Sequence, residues 1–316
     1  MAGRVPAISS GTMPRRMAGT VAGHDTRGWR YLEARAPTGQ QWPAILEEAM
    51  ADELRDILRN RVKEKLARDE VVASMTVRLT RTIEIAQIAA TAGFDTIYVD
   101  VEHNIFSIDS VCQICIAAMQ CGLTPLVRVP ANSPEFICRI LDGGAMGVIA
   151  PHVRSAAEAR EVVSYAKFPP FGERGAGGAL PHYQYRSFPS AVVNQAMNDA
   201  TMVVVMMETV EALEHVEEIA AVDGVDMMLI GTNDLCNEMG ITGQFDHPNV
   251  RDAFLRTIAA CRKVGKHVGV GGLASRPDLM AEYVRQGARY VSTGTDFSFL
   301  LAASAEKAKF VREIKV

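Results

Sequence analysis

Residues 71–100 read VVASMTVRLTRTIEIAQIAATAGFDTIYVD and contain one complete strand–helix–strand unit. The runs 71–77 and 96–100 are apolar and rich in β-branched residues, which is typical of strands. Between them, apolar residues recur at the i, i+3, i+4, i+7 spacing of one helical face: Ile85, Ile88, Ala89 and Ala92. Strands without a polar face indicate a parallel sheet that helices cover on both sides.

The same alternation continues to the end of the chain. Six further apolar runs have the length and composition of strands, and helical patterns separate them. They are residues 124–129, 146–150, 201–207, 226–230, 267–271 and 289–293. Eight units over about 240 residues predict a (β/α)8 TIM barrel, an α/β fold. A doubly wound open sheet is the alternative, but it calls for a G-x-G-x-x-G turn after its first strand, and residues 78–82 contain no glycine.

The N-terminal region differs from the barrel region in composition. Residues 1–36 carry six arginines against two acidic residues and show no apolar periodicity, which is typical of a mitochondrial targeting segment or a disordered tail. We therefore predict a tail and linker over residues 1–43, an N-terminal helix over 44–69 and the barrel over 70–316. A cytoplasmic location is expected, with a mitochondrial one as the alternative.

Composition excludes several classes of protein. The 316 residues are 48% hydrophobic and 22% charged, so a large buried core can form. The net charge is −4, which argues against a protein that binds nucleic acid or an anionic membrane. No apolar run reaches the roughly 18 residues of a membrane span. The six cysteines are scattered over the chain, which is unlike a disulfide framework.

Charged residues follow four of the predicted strands, where the chemistry of a TIM barrel is located. Asp100 and Glu102 follow the second strand, Arg128 ends the third, Glu208 follows the fifth and Asp234 follows the sixth. Two carboxylates completed by water and substrate oxygens suit Mg²⁺ or Mn²⁺. The spacing therefore favours Glu208 and Asp234 as a metal pair. The alternative is a salt bridge from Glu208 to Arg128 or Arg174.

His103 stands one residue after Glu102 and three after Asp100, at the end of a strand. A carboxylate beside an imidazole fixes its tautomer and stabilises its charged form, so a general base is one interpretation of this cluster. A neutral imidazole packed in the core is the other. The residues alone leave both open.

In these motifs the chain resembles the HpcH/HpaI aldolase family, the metal-dependent class II pyruvate aldolases, including fungal dihydroxyheptenedioate aldolase-like and macrophomate synthase-like members. The resemblance covers about residues 71–312. Its motifs occur in the family's order: AGFD (92–95), DVEH (100–103), VRVP (127–130), GVIAPHV (147–153), FPP (168–170) with RGAG (174–177), ET (208–209) and GTNDL (231–235).

The resemblance implies a role for each matching residue. Glu208 and Asp234 would ligate a divalent metal, Mg²⁺ or Mn²⁺ with Co²⁺ as a further candidate, and Arg128 would neutralise the enolate oxygen. His103 would be the base. Asp142 would pair with that histidine, and Asp100 would be a second aspartate near it. The backbone amides of Gly231 and Asn233 would form a turn that binds the substrate carboxylate.

The implied reaction is cleavage or formation of a 4-hydroxy-2-oxo acid from pyruvate and an aldehyde, with decarboxylation of oxaloacetate beside it. The implied assembly is a homo-oligomer, a hexamer by resemblance, with residues 44–69 and 297–313 as candidate contacts. Met206 departs from the family, which often has Gln two residues before the metal-binding Glu. A citrate-lyase-β-like enzyme acting on acyl-CoA and a non-catalytic barrel are the alternatives.

Overall fold

Eight parallel strands pair in sequence order and close into a barrel, in a computed structural model that describes residues 42–315. They are β1 (Val72–Val77), β2 (Thr96–Asp100), β3 (Thr124–Arg128), β4 (Gly147–Ala150), β5 (Met202–Met207), β6 (Met227–Gly231), β7 (His267–Gly271) and β8 (Tyr290–Thr295). The sequence predicts each strand end to within two residues, and the predicted (β/α)8 fold is confirmed.

Thirteen α-helices lie in the described range. They are α1 (Trp42–Ile57), α2 (Arg61–Ala67), α3 (Glu84–Thr91), α4 (Ile108–Gln120), α5 (Pro134–Asp142), α6 (Ala156–Ala166), α7 (Ser190–Ala200), α8 (Val210–Glu214), α9 (Val216–Ala220), α10 (Thr232–Glu238), α11 (Pro248–Lys263), α12 (Pro277–Gln286) and α13 (Asp296–Arg312). A short 3₁₀ helix spans Pro181–Tyr183. None of them is long and apolar enough to cross a membrane.

Alternate residues of each strand pack on opposite sides of the barrel wall. In β5, the side chains of Met202, Val204 and Met206 belong to the apolar cluster inside the barrel. Those of Val203, Val205 and Met207 belong to the larger cluster between the strands and the surrounding helices. Both faces are therefore buried, which is why the strand sequence has no polar residue.

The predicted N-terminal helix over 44–69 is divided in two. Its second part, α2, places Val62 and Leu66 in the cluster inside the barrel. The break between α1 and α2 contains Asn60, whose Oδ1 accepts a hydrogen bond from the backbone N of Lys63 at 3.0 Å and caps α2. Its Nδ2 donates to the Ala200 carbonyl at 2.8 Å. Asn60 thus fixes α2 to the barrel.

The predicted tail lies almost wholly outside the described residues, so the choice between a cytoplasmic and a mitochondrial location stays a prediction. All six cysteines fall within the described range and are free, which agrees with their scattered spacing.

We expect Asn60→Ala to lower the free energy of unfolding by about 2 kcal/mol, because it removes a helix cap and leaves a buried carbonyl without its donor. Denaturant unfolding monitored by circular dichroism measures the loss. Ser107→Ala is the matched control, since Ser107 caps α4 at an exposed position. It should cost about 1 kcal/mol. Equal losses in the two variants would contradict the proposed anchoring of α2.

Candidate active site

The closed parallel barrel brings the ends of β2, β3, β5 and β6 to one rim. Asp100 is the last residue of β2 and stands opposite Arg128, the last residue of β3, in the strand register. Glu208 directly follows β5, and Asp234 lies in the first turn of α10, which directly follows β6. Four charged groups that are distant in sequence therefore lie at one rim because of strand order alone, and two of them, Arg128 and Asp234, line its cavity.

Asp100 and Arg128 form a buried bidentate ion pair. Arg128 Nε donates to Asp100 Oδ1 at 2.9 Å, and Nη2 donates to Oδ2 at 2.7 Å. Asp100 is 0% exposed, so burial acts to raise the pKa of its carboxyl. The hydrogen bonds and charge of Arg128, with the charge of Arg78, outweigh burial and lower that pKa. The pair is therefore charged at neutral pH.

The remaining Nη1 atom of Arg128 faces two further groups. It lies 2.8 Å from Glu102 Oε2 and 3.6 Å from the sulfur of Met206. The guanidinium also lies 5.6 Å from the centre of the Tyr98 ring. All three nitrogens of Arg128 thus contact the protein, and the group is held in one orientation.

His103 lies at the edge of this cluster and lines the cavity. Its Nε2 is 3.5 Å from Glu102 Oε2, and its backbone N donates weakly to Asp100 Oδ1 at 3.4 Å. The side chain is 47% exposed. The structure therefore brings His103 to both neighbouring carboxylates and excludes a position in the core.

His152, which lies in the GVIAPHV motif but for which the sequence predicts no role, joins Glu102 to Glu208. Its Nε2 is 2.8 Å from Glu102 Oε1, its Nδ1 is 3.1 Å from Glu208 Oε1, and its backbone N donates to the same oxygen at 2.7 Å. The backbone of His152 has a φ of +54°, a left-handed conformation that turns N–H and ring to one side. Its place in the GVIAPHV motif, two residues after β4, is the signal that the sequence offers.

Glu208 and Asp234 fit the donor set of a divalent metal. Glu208 is 2% exposed, and burial, with the charges of Glu102 and Asp234, raises the pKa of its carboxyl against the opposing effect of His152. The alternative salt bridge from Glu208 to Arg128 or Arg174 is not formed: among the described residues, the basic side chain beside Glu208 is that of His152. A buried carboxylate without a guanidinium partner is what a cation would stabilise.

Because Gly231 has no side chain, the Glu208 carboxylate can lie against its backbone. A Cβ atom on Gly231 would stand 2.8 Å from Glu208 Oε2 and 2.9 Å from the Met206 methyl group. No three His, Cys, Asp or Glu side chains in residues 42–315 are arranged to hold a metal. Two carboxylates would therefore hold an ion together with oxygens of substrate or water, which suits Mg²⁺ or Mn²⁺ better than Zn²⁺.

The cavity has a volume of about 350 Å³. Gly231 and Asn233 line it on the β6 side, where the backbone turns from β6 into α10. Met206 and Arg128 line it on the β3 and β5 sides, and Arg78 on the β1 side. This volume is at the lower end of ligand pockets, so it suits a compound of a few carbons.

The structure does not bring Asp142 to His103 within one chain. Asp142 is the last residue of α5, which returns from the rim to the opposite end of the barrel before β4 begins. There its Oδ1 accepts a hydrogen bond from Nη2 of the buried Arg174 at 2.7 Å. The other predicted site residues lie together at the rim: Asp100, His103, Arg128, Glu208, Gly231, Asn233 and Asp234.

Comparison with known proteins identifies relatives over most of the chain. The family model described as HpcH/HpaI aldolase/citrate lyase matches residues 75–303. A 4-hydroxy-4-methyl-2-oxoglutarate aldolase of Chaetomium globosum is 36% identical over 258 residues, which cover 81% of this chain and 96% of that protein. A 4-hydroxy-2-oxo-heptane-1,7-dioate aldolase of Shigella sonnei is 36% identical over 227 residues, or 71% of this chain and 85% of that one.

Solved structures show the same fold. An HpcH/HpaI aldolase from Desulfitobacterium hafniense superposes with a TM-score of 0.76 at 32% identity, covering 80% of this chain and 97% of that chain. Macrophomate synthase superposes with a TM-score of 0.65 at 23% identity, covering 81% of this chain and 89% of that chain. At 23% identity, the similarity to macrophomate synthase concerns the fold alone.

We expect Asp100→Asn to lower the free energy of unfolding at pH 7 by about 3 kcal/mol, because it leaves the buried Arg128 without its countercharge. Folding lowers the pKa of Asp100 below the usual 3.8. Its charged form therefore stabilises the fold above the unfolded pKa, and this contribution is lost as pH falls through the folded pKa.

Denaturant unfolding between pH 3 and pH 7 tests this expectation. The difference between wild type and Asp100→Asn should shrink below about pH 4. Asp246→Asn removes an exposed pair with Arg276 and should cost less than about 1 kcal/mol. A pH-independent difference for Asp100→Asn would count against a charged pair.

Proposed function

The chain belongs to the HpcH/HpaI aldolase/citrate lyase family and is a carbon–carbon lyase, and on that premise we propose that it cleaves a 4-hydroxy-2-oxo acid to pyruvate and a second carbonyl compound. The observation that carries this proposal is the fixed guanidinium of Arg128. It lines the same cavity as Asp234, one of the two carboxylates that fit the donor set of a divalent metal. Decarboxylation of oxaloacetate would produce the same enolate of pyruvate, so we propose it as a further activity.

Arg128 supplies a positive charge where the reaction creates a negative one. Cleavage of the C3–C4 bond leaves an electron pair that is delocalised onto the C2 oxygen of the pyruvate fragment. A guanidinium fixed before the reaction stabilises that oxygen without reorganising, which is where electrostatic catalysis is most effective. The contacts of Arg128 with Asp100 and Glu102 provide this fixation.

Glu208 and Asp234 would hold the divalent ion, for which we propose Mg²⁺ or Mn²⁺, with Co²⁺ as a further candidate. When bound, such an ion polarises the oxygens of a 2-oxo acid as a Lewis acid. The backbone N–H groups of Gly231 and Asn233 would bind the carboxylate of the pyruvate fragment, since both residues line the cavity on the β6 side.

His103 is the proposed base. In the cleavage direction it removes the proton of the C4 hydroxyl, so that the C4 oxygen becomes the carbonyl of the departing fragment as the C3–C4 bond breaks. C3 then takes a proton from solvent to give pyruvate, and the imidazole releases its own proton to solvent, which restores the base. Glu102 Oε2, 3.5 Å from the imidazole, would orient the ring for this transfer.

The pairing of Asp142 with His103 remains part of the proposal, and it requires two chains. Within one barrel the two residues lie at opposite ends, so the aspartate would have to come from a neighbouring subunit. The chain has a surface for such an assembly. Helix α13 is exposed along nearly its whole length and carries six exposed large apolar side chains: Phe297, Phe299, Leu300, Leu301, Phe310 and Val311. We therefore propose a homo-oligomer, of which a hexamer is the expected form.

Proton NMR of pyruvate in D₂O tests the donor half of the reaction. We expect deuteration of the C3 methyl group that requires Mg²⁺ or Mn²⁺ and stops with EDTA. Arg128→Ala should slow this exchange by about 100- to 1,000-fold, because the developing oxyanion loses its fixed charge. Glu208→Gln should weaken Mn²⁺ binding in a calorimetric titration.

Arg154→Ala is the control, because Arg154 is an exposed arginine that pairs loosely with Glu211 at 4.0 Å. It should exchange at the wild-type rate. If no divalent ion supports exchange or oxaloacetate decarboxylation, acyl-CoA substrates and then a non-catalytic role become the better hypotheses.

Mixed oligomers test the pairing between chains. His103→Ala and Asp142→Ala should each be nearly inactive alone, whereas co-expressed chains should recover about one quarter of wild-type activity, because random assembly restores some sites. A mixture of His103→Ala with Arg128→Ala should recover none, since both residues serve the same chain's site. Absence of recovery in the first mixture, with assembly confirmed by light scattering, would overturn the pairing.

A further inference from the structure

Arg78 is a second guanidinium at the cavity, and neither the motifs nor the proposed chemistry uses it. It directly follows β1, lines the cavity and is 39% exposed. Its Nε lies 2.8 Å from Asp100 Oδ2, and its backbone N donates to Asp296 Oδ1 at 2.9 Å. These two contacts hold the backbone of Arg78 and the Nε atom of its guanidinium group in place.

The two terminal nitrogens of Arg78, Nη1 and Nη2, differ from those of Arg128 in their contacts with the protein. Arg128 directs every guanidinium nitrogen at a protein atom. For Arg78, neither Nη1 nor Nη2 donates a hydrogen bond to any residue that the structure describes, and its shortest contact with a carboxylate is through Nε. Two donor groups with a positive charge therefore remain available to a molecule in the cavity.

The position of Arg78 determines which part of that molecule it would contact. Arg78 and Arg128 both contact Oδ2 of Asp100, so the two guanidinium groups lie side by side. Strand β1 stands across the closed barrel from β5, after which Glu208 is placed. A pyruvate fragment held on the β5 and β6 side would therefore have its reaction partner between itself and Arg78.

We propose that Arg78 is a specificity-determining residue that binds a carboxylate on the second carbonyl compound. This inference rests on the proposed function and selects the substrate class. Because Arg78 is anchored beside Arg128, the carboxylate it reaches is attached directly to the reacting carbonyl carbon. The second product is then a 2-oxo acid, and the substrate carries hydroxyl and carboxylate together on C4.

The cavity, of about 350 Å³, has room for both carbonyl fragments of such a substrate. Beside Arg78, on β1 and the neighbouring β8, the hydroxyl groups of Thr76 and Ser292 hydrogen-bond to each other at 2.9 Å rather than to an outside group. Arg78 is thus the cation available for a nearby acid group.

The test compares two substrates that differ at C4. One is 4-hydroxy-4-methyl-2-oxoglutarate, with a carboxylate on C4, and the other is 4-hydroxy-2-oxopentanoate, without one. Arg78→Gln should lower kcat/KM for the first by about 10- to 100-fold, as expected for a lost hydrogen bond between charged groups. For the second substrate the fall should be about 3-fold or less. Arg78→Lys should restore part of the loss, and Arg154→Gln should change neither value.

Each other outcome overturns the inference. Equal losses on both substrates, together with slower C3 deuteration of pyruvate, would mean that Arg78 acts by supporting Asp100 and Arg128. Unchanged values for both substrates would mean that it contacts neither. Thermal unfolding of Arg78→Gln and Arg78→Lys checks that both variants fold. If wild type neither deuterates pyruvate nor cleaves either substrate, the proposed function itself fails, which is distinct from a loss of selectivity in an active enzyme.

Discussion

The buried pair of Asp100 and Arg128 is the interaction on which the rest of the site depends. A guanidinium at the end of an apolar strand is costly to bury without a countercharge. The register of β2 against β3 places the two residues directly opposite, so the barrel supplies the countercharge as soon as the strands pair. The orientation of Arg128 then fixes Glu102 on one side, and Asp100 fixes Arg78 on the other.

Much of this arrangement follows from the sequence. Strands buried on both faces have no charged residue until they end, so the first charged residue at or after the end of an apolar run marks both the strand boundary and the rim of the barrel. Asp100, Arg128 and Glu208 are found in this way, and the resemblance to a family adds their roles. The fold is predictable for the same reason, because strand composition and helix spacing agree along the chain.

Other parts could not be predicted because they depend on contacts between distant segments. The break between α1 and α2 is set by Asn60, whose buried partner is the carbonyl of Ala200, 140 residues away. The contacts of His152 depend on a left-handed backbone conformation, which a histidine adopts rarely and which the GVIAPHV motif does not reveal. Arg78 falls in a stretch with other charged residues, and only the closure of β8 onto β1 shows that it faces the cavity.

The charges around the cavity explain why this site suits a divalent cation. Four carboxylates, those of Asp100, Glu102, Glu208 and Asp234, stand against two guanidinium groups, those of Arg78 and Arg128. Counting these six groups alone, the excess is two negative charges, which is what one divalent ion neutralises. The excess lies on the β5 and β6 side, with Glu208 and Asp234, because Asp100 and Glu102 after β2 are already paired with the arginines. On the β1 side Arg78 lines the cavity, so that under both proposals a substrate with two acid groups would meet a metal ion at one end of the cavity and a guanidinium at the other.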